Sequence, residues 1–345
     1  MTAAACRVCH GIPQRFEATL QREEAQWQKR ELQIAALRGH SSGSSAAMAG
    51  EADLAADAGG AGLPPPPPAY VAGCARFAGL TFSVSRAVMV PRQSTVCLVR
   101  AALGLLLRAP GPEGAAHESA PPRCRRHARI LDLGTGPGNV LLAVLHHAAA
   151  TGASDDGCTP SGVGMDISDD ALALARRNAA DLGFAASAAF VQGDFGRLHD
   201  DPTAVMRGGG ECDDEEAVHA PFDLIVCNPP YLCMELKQEL AHVAPSLQHE
   251  PARALFAAAG GTAAYAAIVA SVAQCSPPLL ASGGHLLFEV GAGCATAVVS
   301  AVAELGIEGC CCTVLPADGV AALPLVIGDA DAKAGHVLSV TFADV

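Results

Sequence analysis

The chain has 345 residues, which is enough for one large domain with extensions or for two modest domains. Half of its residues are apolar, so a sizeable buried core can form, and its formal net charge is −13, from 35 acidic and 22 basic side chains. A protein that grips nucleic acid usually shows a basic face. This balance therefore argues against a DNA or RNA substrate, although a local basic groove would still allow one.

The N-terminal 66 residues differ in composition from the rest of the chain. Residues 14–38 are charged and lack glycine and proline, which predicts a short helix. Residues 39–62 are rich in glycine, serine and alanine, and five prolines follow at positions 64–68. We interpret residues 1–66 as a short helical segment joined to a disordered linker.

Targeting and metal-binding signals are sparse. Arginines near the N-terminus fit an organellar transit peptide, although the glutamates among them are atypical of one. We expect an organelle, mitochondrion or plastid, with the cytoplasm as the alternative. The C-x-x-C-H pattern at residues 6–10 has no partner motif, so we expect no metal. No apolar stretch of about 18 residues predicts a membrane span.

Residues 67–127 predict a lead-in to the main domain. Apolar positions between Phe77 and Val84 predict a short hairpin, and residues 93–107 predict a helix. Residues 109–127 are rich in proline and basic side chains and predict a loop.

Residues 128–345 alternate short apolar strands with helices. Strands are predicted at residues 129–133, 162–165, 188–192, 222–227, 285–290, 310–315 and 337–342. Helices are predicted at residues 139–150, 168–182, 262–274 and 295–305. Nearly continuous apolar strands indicate a sheet covered on both faces. The predicted fold class is α/β: a Rossmann-like, doubly wound, seven-stranded and mostly parallel sheet with an antiparallel last strand.

The first strand of this domain is predicted to run into a glycine-rich turn, Asp132-Leu133-Gly134-Thr135-Gly136-Pro137-Gly138, ahead of a helix. Glycines let the backbone approach a ligand closely, and a helix amino end favours an anionic group. Dinucleotide-binding folds normally show G-x-G-x-x-G. The spacing here instead resembles class I S-adenosylmethionine-dependent methyltransferases, and we expect Asp132 to pair with the cofactor's ammonium group.

Polar residues also follow the next two predicted strands, where a ligand of a parallel sheet would bind. Asp166 is expected to accept hydrogen bonds from both ribose hydroxyls of S-adenosylmethionine. Asp194 is expected to meet the adenine amino group, with Phe195 beside the ring; the alternative for Asp194 is a turn-forming residue. The predicted cofactor-binding residues are Asp132, Gly134, Thr135, Gly136, Gly138, Asp166, Asp194, Phe195 and Asn228.

The tetrapeptide Asn228-Pro229-Pro230-Tyr231 follows the fourth predicted strand. Methyl transfer to a planar nitrogen is difficult because the lone pair of that nitrogen is delocalised. The Asn228 side-chain oxygen and the Pro229 carbonyl can accept hydrogen bonds from an NH2 group and aim its lone pair at the methyl group. The two prolines fix the turn, and Tyr231 offers a flat face. We expect Asn228, Pro229 and Tyr231 to be catalytic.

The N-P-P-Y motif alone does not distinguish the amide of a glutamine from N6 of adenine, because both are planar and both present NH2. An enzyme acting on adenine in a duplex would also have to flip the base, and no appended basic domain is evident. Two further alternatives remain: methylation of a glutamine in a ribosomal protein, and a cofactor-binding scaffold without turnover.

Flanking motifs resemble the release factor glutamine methyltransferase family over residues 67–290. They are Pro67-x-x-Tyr70-Val71-x-Gly73, Phe77-x-Gly79-Leu80-x-Phe82, Val90-Pro91-Arg92-x-x-Thr95, Glu250-Pro251-x-x-Ala254-Leu255, Gly260-Gly261 and Leu287-Phe288-Glu289-Val290-Gly291. Adenine methyltransferases that share N-P-P-Y generally lack these flanks. The resemblance therefore favours a glutamine acceptor.

This resemblance implies a helical substrate domain, here reduced to residues 14–38, and a release factor as the protein partner. It implies that the glutamine of a G-G-Q loop is methylated. The expected substrate-binding residues are Asn228, Pro229, Pro230, Tyr231, Arg92 and Glu250. The chain departs from the family pattern at Gln93, Val96 and Cys294, and it lacks the arginine expected after Asp318-Gly319.

Overall fold

The structure is a computed structural model. It describes residues 66–106, 128–150, 160–206, 220–234, 237, 245–291, 294–315, 323–324 and 336–342. The predicted helix at 14–38, the linker, the loop at 109–127, the C-x-x-C-H pattern and Asp318-Gly319 lie outside these ranges. The division into three segments, 1–66, 67–127 and 128–345, therefore stays a prediction.

The lead-in segment begins with a short helix and a two-stranded hairpin. Helix α1 spans Pro68–Ala72, and strands β1 (Cys74–Phe77) and β2 (Leu80–Ser83) pair antiparallel, as predicted. The two turn residues, Ala78 and Gly79, both have positive φ, at 49° and 81°. This is the combination that a two-residue hairpin turn requires. A 3-10 turn at Gln93–Thr95 then leads into helix α2 (Val96–Leu106).

The main domain contains the following elements after the lead-in. Its longer strands and helices are β3 (Arg129–Leu133), α3 (Asn139–Ala150), β4 (Ser161–Asp166), α4 (Asp169–Asp181), β5 (Ala188–Gln192), β6 (Phe222–Cys227), α7 (Ala263–Ala273), β9 (Leu280–Val290), α8 (Ala295–Ala303), β10 (Cys310–Leu315) and β12 (His336–Phe342). Shorter elements are α5 (Pro202–Met206), β7 (Leu232–Cys233), α6 (Ala252–Leu255), β8 (Phe256–Ala257) and β11 (Leu323–Pro324), together with 3-10 turns at Phe195–Asp200, Pro245–His249 and Ala259–Gly261.

The predicted seven-stranded sheet is confirmed, with one short addition. The strand order is β11-β10-β12-β9-β6-β3-β4-β5. Strands β5, β4, β3, β6 and β9 run parallel, whereas β12 lies between β9 and β10 and is antiparallel to both. The predicted antiparallel last strand is therefore confirmed as well. The two-residue β11 pairs with β10 and forms an eighth strand that the sequence pattern did not predict.

Strand β9 begins earlier than the residues 285–290 that the sequence predicted. It starts at Leu280, which pairs with Phe222 of β6. The register between β6 and β9 then shifts before Leu224 pairs with His285. The Ser-Gly-Gly stretch at residues 282–284 falls in this irregular part, where Gly283 has a φ of 67°. Because serine and glycine usually indicate a turn, the sequence pattern did not predict residues 280–284 as part of β9.

Helices cover the sheet on both faces because successive strand residues point in opposite directions. In β3, Ile130 packs on the face covered by α2 and α3. Leu131 and Leu133 pack on the other face, against α7 and α8. All three side chains are fully buried, which accounts for apolar residues on both faces of this strand. None of the helices in the described ranges has the length and apolar character that crossing a bilayer requires.

Candidate active site

The carboxyl ends of the parallel strands open into one cavity of about 610 Å³. It lies beside β3, where the chain first adds β4 and β5 on one side of the sheet and then β6 on the other. This switch point is the usual ligand position in a doubly wound sheet. Its size falls in the range of about 300–1,000 Å³ typical of small-molecule sites. The predicted site residues that line it are Asp132, Gly134, Thr135, Gly136, Asp166, Asp194, Phe195, Asn228 and Pro230.

The glycine bend, residues 134–138, connects β3 to α3. Gly134, Gly136 and Gly138 all have positive φ, at 68°, 55° and 81°. This conformation is strained for other residues and explains why the turn needs glycine at each of these positions. Gly138 does not line the cavity but packs behind the bend, where an added Cβ would lie 3.1 Å from Cδ1 of Leu142.

Asp132 holds the two ends of the glycine bend together. Its Oδ2 accepts hydrogen bonds from the Thr135 hydroxyl, at 2.7 Å, and from the Leu141 amide in α3, at 3.3 Å. Burial raises the pKa of Asp132 to about 7, against the opposing effect of these two donors. Asp132 therefore has a structural role that the sequence did not reveal, and its predicted pairing with a cofactor ammonium group stays a prediction.

Asp166 and Asp194 both bind backbone amides at the cavity wall. Asp166 accepts from the Gly136 amide at 2.9 Å and from the Ser168 amide at 3.0 Å, so it ties β4 to the glycine bend. Asp194 accepts from the Gly196 amide at 2.8 Å, which is the turn-forming role weighed as its alternative. Each carboxylate oxygen can accept a second hydrogen bond. The predicted contacts of Asp166 with ribose and of Asp194 with adenine therefore remain possible, and they stay predictions.

Two further residues shape the site and are not among the predicted site residues. Ile167 lies directly after Asp166, lines the cavity and is 51% exposed, an unusual state for a large apolar side chain. Its position next to a strand-end aspartate was the available signal. Asn178 in α4 donates to the Pro137 carbonyl at 2.8 Å and thereby supports the bend from behind. No local pattern marks Asn178.

The cavity fits S-adenosylmethionine in size and in its donor and acceptor groups. The amino end of α3 faces the bend and suits a carboxylate, and the Asp166 carboxylate suits the ribose hydroxyls. The exposed Ile167 and the half-buried Phe195 provide apolar surface for a planar base. When bound, this cofactor supplies an electrophilic methyl group attached to a sulfonium.

The transfer turn, Asn228-Pro229-Pro230-Tyr231, follows β6 on the opposite side of the cavity from Asp166. The Asn228 side-chain Nδ2 donates to the Thr95 hydroxyl at 3.1 Å. Pro229 is buried, and Pro230 lines the large cavity. The Tyr231 ring packs so closely on Gly291 that an added Cβ there would lie 2.9 Å from its Cδ2.

A smaller cavity, about 150 Å³ in volume, adjoins the transfer turn. Asn228, Met89 and Ala254 line both cavities, so the two cavities adjoin at these residues. The residues that line the smaller cavity are Met89, Arg92, Asn228, Pro229, Tyr231, Leu232, Leu247, Ala254 and Leu255. The structure thus brings the predicted catalytic residues Asn228, Pro229 and Tyr231 together at the junction.

Arg92 and Glu250, both predicted to bind substrate, form an ion pair with each other at 2.5 Å. The second oxygen of Glu250 accepts from the Val90 amide at 3.0 Å, and its side chain is only 1% exposed. Glu250 therefore fastens the lead-in segment to the chain that follows the transfer turn, and it lines neither cavity. Arg92 lines the smaller cavity, and substrate contact by either residue stays a prediction.

The departures from the family pattern occupy supporting positions. Gln93 donates to the Arg76 carbonyl of β1 at 3.1 Å and so joins the 3-10 turn to the hairpin. Val96 is buried at the start of α2, and Cys294 precedes α8. Neither Gln93 nor Val96 lines either cavity, so these substitutions leave the junction at Asn228 unobstructed.

The doubly wound sheet, the glycine bend and the N-P-P-Y turn together define a class I S-adenosylmethionine-dependent methyltransferase. Residues 125–273 match a family model described as a methyltransferase domain. The chain is 32% identical over 244 residues to a release factor glutamine methyltransferase of Neisseria gonorrhoeae, a match that covers 70% of each protein. This chain belongs to the release factor glutamine methyltransferase family, which confirms the resemblance found in its motifs.

Other relatives of the same description match a smaller share of their own length. The protein of Bradyrhizobium diazoefficiens is 34% identical over 228 residues, which are 66% of this chain and 61% of the relative. That of Rhodospirillum rubrum is 36% identical over 204 residues, 59% of this chain and 47% of the relative. The chain therefore spans less than two thirds of the length of these relatives.

The expected organellar location is wrong. The relatives are bacterial proteins, from Bradyrhizobium, Rhodospirillum, Caulobacter and Neisseria, and nothing in them indicates an organelle. The arginines of residues 1–66 are accompanied by glutamates, and such acidic residues are atypical of transit peptides. Arginine content alone was therefore an insufficient signal.

Proposed function

We propose that the protein transfers a methyl group from S-adenosylmethionine to the side-chain amide nitrogen of a protein glutamine, the one in the G-G-Q loop of a peptide-chain release factor. The observation that carries this proposal is the position of Asn228 at the junction of two cavities. The large cavity suits the cofactor and the small one suits an acceptor side chain. Relatives named for this activity support the choice of acceptor.

The site has to align a weak nucleophile, the amide nitrogen of glutamine, with the methyl carbon of the cofactor. An amide NH2 that donates one hydrogen bond to the Asn228 Oδ1 and one to the Pro229 carbonyl would be held with its lone pair toward the methyl carbon. The nitrogen–carbon bond forms as the carbon–sulfur bond breaks, S-adenosylhomocysteine leaves, and the nitrogen releases one proton to solvent. Such positioning contributes several kcal/mol to catalysis, and no strong base is needed before transfer.

The acceptor cavity favours a single side chain over a large polyanion. Its volume is about 150 Å³. Most of its lining is apolar, and Arg92 is the one cation among the described residues that line it. Arg92 already pairs with Glu250, and the whole chain carries a net charge of −13. Phosphate groups would therefore find little compensating charge inside the smaller cavity, whereas Arg86 and Arg253 line the larger one. A protein loop that inserts one glutamine does not need that compensation.

A labelled-transfer assay tests the proposal. Purified protein and tritiated S-adenosylmethionine are incubated with a recombinant release factor, with the same factor whose G-G-Q glutamine is replaced by asparagine, with ribosomal proteins and with DNA or RNA. We expect label on the unmodified release factor only, and mass spectrometry should place one added methyl on that glutamine. Label on ribosomal protein or on nucleic acid would reject the release factor as substrate. Cofactor binding without any transfer would indicate a scaffold.

A further inference from the structure

Three segments of the chain meet at the junction between the two cavities. The transfer turn contributes Asn228, the lead-in segment contributes Met89, and helix α6 contributes Ala254. Because the cavities adjoin at these side chains, an acceptor nitrogen in the smaller cavity has to pass them to reach a methyl group in the larger one. The room left for the acceptor therefore depends on the size of these three residues and on how firmly their segments are held together.

Ala254 has the smallest side chain at the junction. It is half-buried, and its neighbours in α6 face different surroundings. Leu255 lines only the smaller cavity, Arg253 lines only the larger one, and the exposed Ala252 lines neither. The methyl group of Ala254 thus lies at the boundary, where a longer side chain would occupy the space that the acceptor needs.

A buried carboxylate joins two sides of the junction. Glu250 accepts hydrogen bonds from the Val90 amide, at 3.0 Å, and from the Arg92 guanidinium, at 2.5 Å. Val90 directly follows Met89, and Glu250 itself lies four residues before Ala254. The Glu250 side chain is only 1% exposed, so water competes little for these bonds, and bonds to a charged group are among the stronger ones. The carboxylate therefore fixes how far α6 lies from the lead-in segment.

We propose that Ala254 is a specificity-determining residue and Glu250 a positioning residue for methyl transfer: the small side chain of Ala254 leaves the junction open to an unbranched side-chain amide, and Glu250 sets the distance between α6 and Met89. This assigns a role to the motif Glu250-Pro251-x-x-Ala254-Leu255, which the transfer turn alone does not explain. The inference deepens the function proposed above and rests on it for the identity of the acceptor.

A matched pair of substitutions in α6 tests the role of Ala254. Ala254→Leu places an isobutyl group at the junction, whereas Ala252→Leu makes the same change at an exposed position of the same helix. With release factor as substrate, we expect Ala254→Leu to lower kcat/KM by about 10- to 100-fold, while the affinity for S-adenosylhomocysteine falls much less. Ala252→Leu and Ala254→Gly should stay near wild type. Full turnover in Ala254→Leu, or equal losses in Ala254→Leu and Ala252→Leu, would overturn the proposal.

A double-variant cycle tests the role of Glu250. Glu250→Gln keeps an oxygen that can accept from the Val90 amide but removes the charge that pairs with Arg92. The two sides of the junction should then separate more easily and make room for the larger side chain. The loss of kcat/KM caused by Ala254→Leu should therefore be smaller in the Glu250→Gln background, by about threefold or more. Losses of the same size in both backgrounds would overturn the positioning role of Glu250.

A binding measurement separates the junction from the proposed function. The probe is a cofactor analogue with nitrogen in place of the sulfonium sulfur, made with and without a short arm that ends in a carboxamide. The arm has to enter the junction, so we expect it to raise affinity about tenfold in wild type and in Ala252→Leu but not in Ala254→Leu, measured by calorimetry. No gain in wild type, or a gain that survives in Ala254→Leu, would overturn the proposal even if release factor is methylated. Wild type that shows the gain but methylates no glutamine would refute the proposed function alone.

Discussion

The two sides of the site are built in different ways. The glycine bend is held by hydrogen bonds that come from nearby in the chain: Thr135 and Leu141 bind Asp132 across three and nine residues, and Asp166 and Asn178 bind the bend across 30 and 41 residues. The transfer turn is held from far away. Asn228 bonds to Thr95 across 133 residues, and Ser94, the neighbour of Thr95, bonds in turn to Glu289 across 195 residues.

This difference indicates that the glycine bend and the transfer turn are supported by separate parts of the protein. The bend and its acidic partners belong to β3, β4 and the helices that follow them. The transfer turn needs the lead-in segment, which the Arg92–Glu250 ion pair and the Thr95–Asn228 hydrogen bond attach to the main domain. The lead-in residues Arg86, Met89 and Thr95 also line the cofactor cavity, so damage to the lead-in attachment should impair transfer more than it impairs cofactor binding.

The largest expected effect comes from removing the transfer amide itself. Asn228→Ala deletes the acceptor that holds the NH2 group, and misalignment of a reacting atom lowers kcat by about 100-fold or more. Cofactor affinity should fall much less than kcat, because Asn228 is one of several residues that line the cofactor cavity and the glycine bend and its partners remain intact. Initial rates of labelled transfer and equilibrium binding of S-adenosylhomocysteine measure the two quantities. Turnover close to wild type would remove Asn228 from the catalytic group.

The same contrast explains how much the sequence could predict. The bounds of β3 and α3 were predicted at residues 129–133 and 139–150, and both are as the structure has them, because an apolar run and a glycine turn are local signals. The residues around the cofactor cavity followed from their places at strand ends. The pairing of Arg92 with Glu250 and of Thr95 with Asn228 joins segments more than 130 residues apart. No spacing within either segment encodes such a contact.

A second expected effect tests the rigidity of the glycine bend against a matched glycine elsewhere. Gly138 and Gly183 have the same φ, 81°, but an added Cβ at Gly138 would meet Leu142, Ala175 and Phe190, whereas nothing lies within 4 Å at Gly183. Gly183→Ala should lower the free energy of unfolding by about 1 kcal/mol and leave cofactor affinity unchanged. Gly138→Ala adds crowding of about 1–3 kcal/mol and should weaken cofactor binding by roughly tenfold or more.

Urea unfolding and cofactor binding, measured on both variants, separate conformational strain from crowding at the bend. Equal stability losses with unchanged cofactor affinity would mean that the bend tolerates the extra methyl group. In that case the need for glycine in the bend would no longer distinguish the cofactor side of the site from the transfer side, which depends on distant contacts. Weaker cofactor binding in Gly138→Ala but not in Gly183→Ala would support separate roles for the bend and the transfer turn. At saturating cofactor, the rate of methyl transfer by Gly138→Ala should then stay near that of wild type.

The smallest effect concerns the proton on Asp132, which links cofactor binding to pH. Burial raises the pKa of Asp132 to about 7, so the ligand-free protein holds a proton there at lower pH. A cofactor ammonium group beside it would favour the ionised form and lower that pKa, so binding releases a proton and affinity rises with pH. The rise should be about tenfold between about pH 6 and pH 8, measured by calorimetry in buffers of different ionisation enthalpy. Asp132→Asn keeps an acceptor for Thr135 but cannot titrate, so its affinity should be flat over this range. A wild-type profile as flat as that of Asp132→Asn would mean that Asp132 supports the glycine bend without pairing with the cofactor.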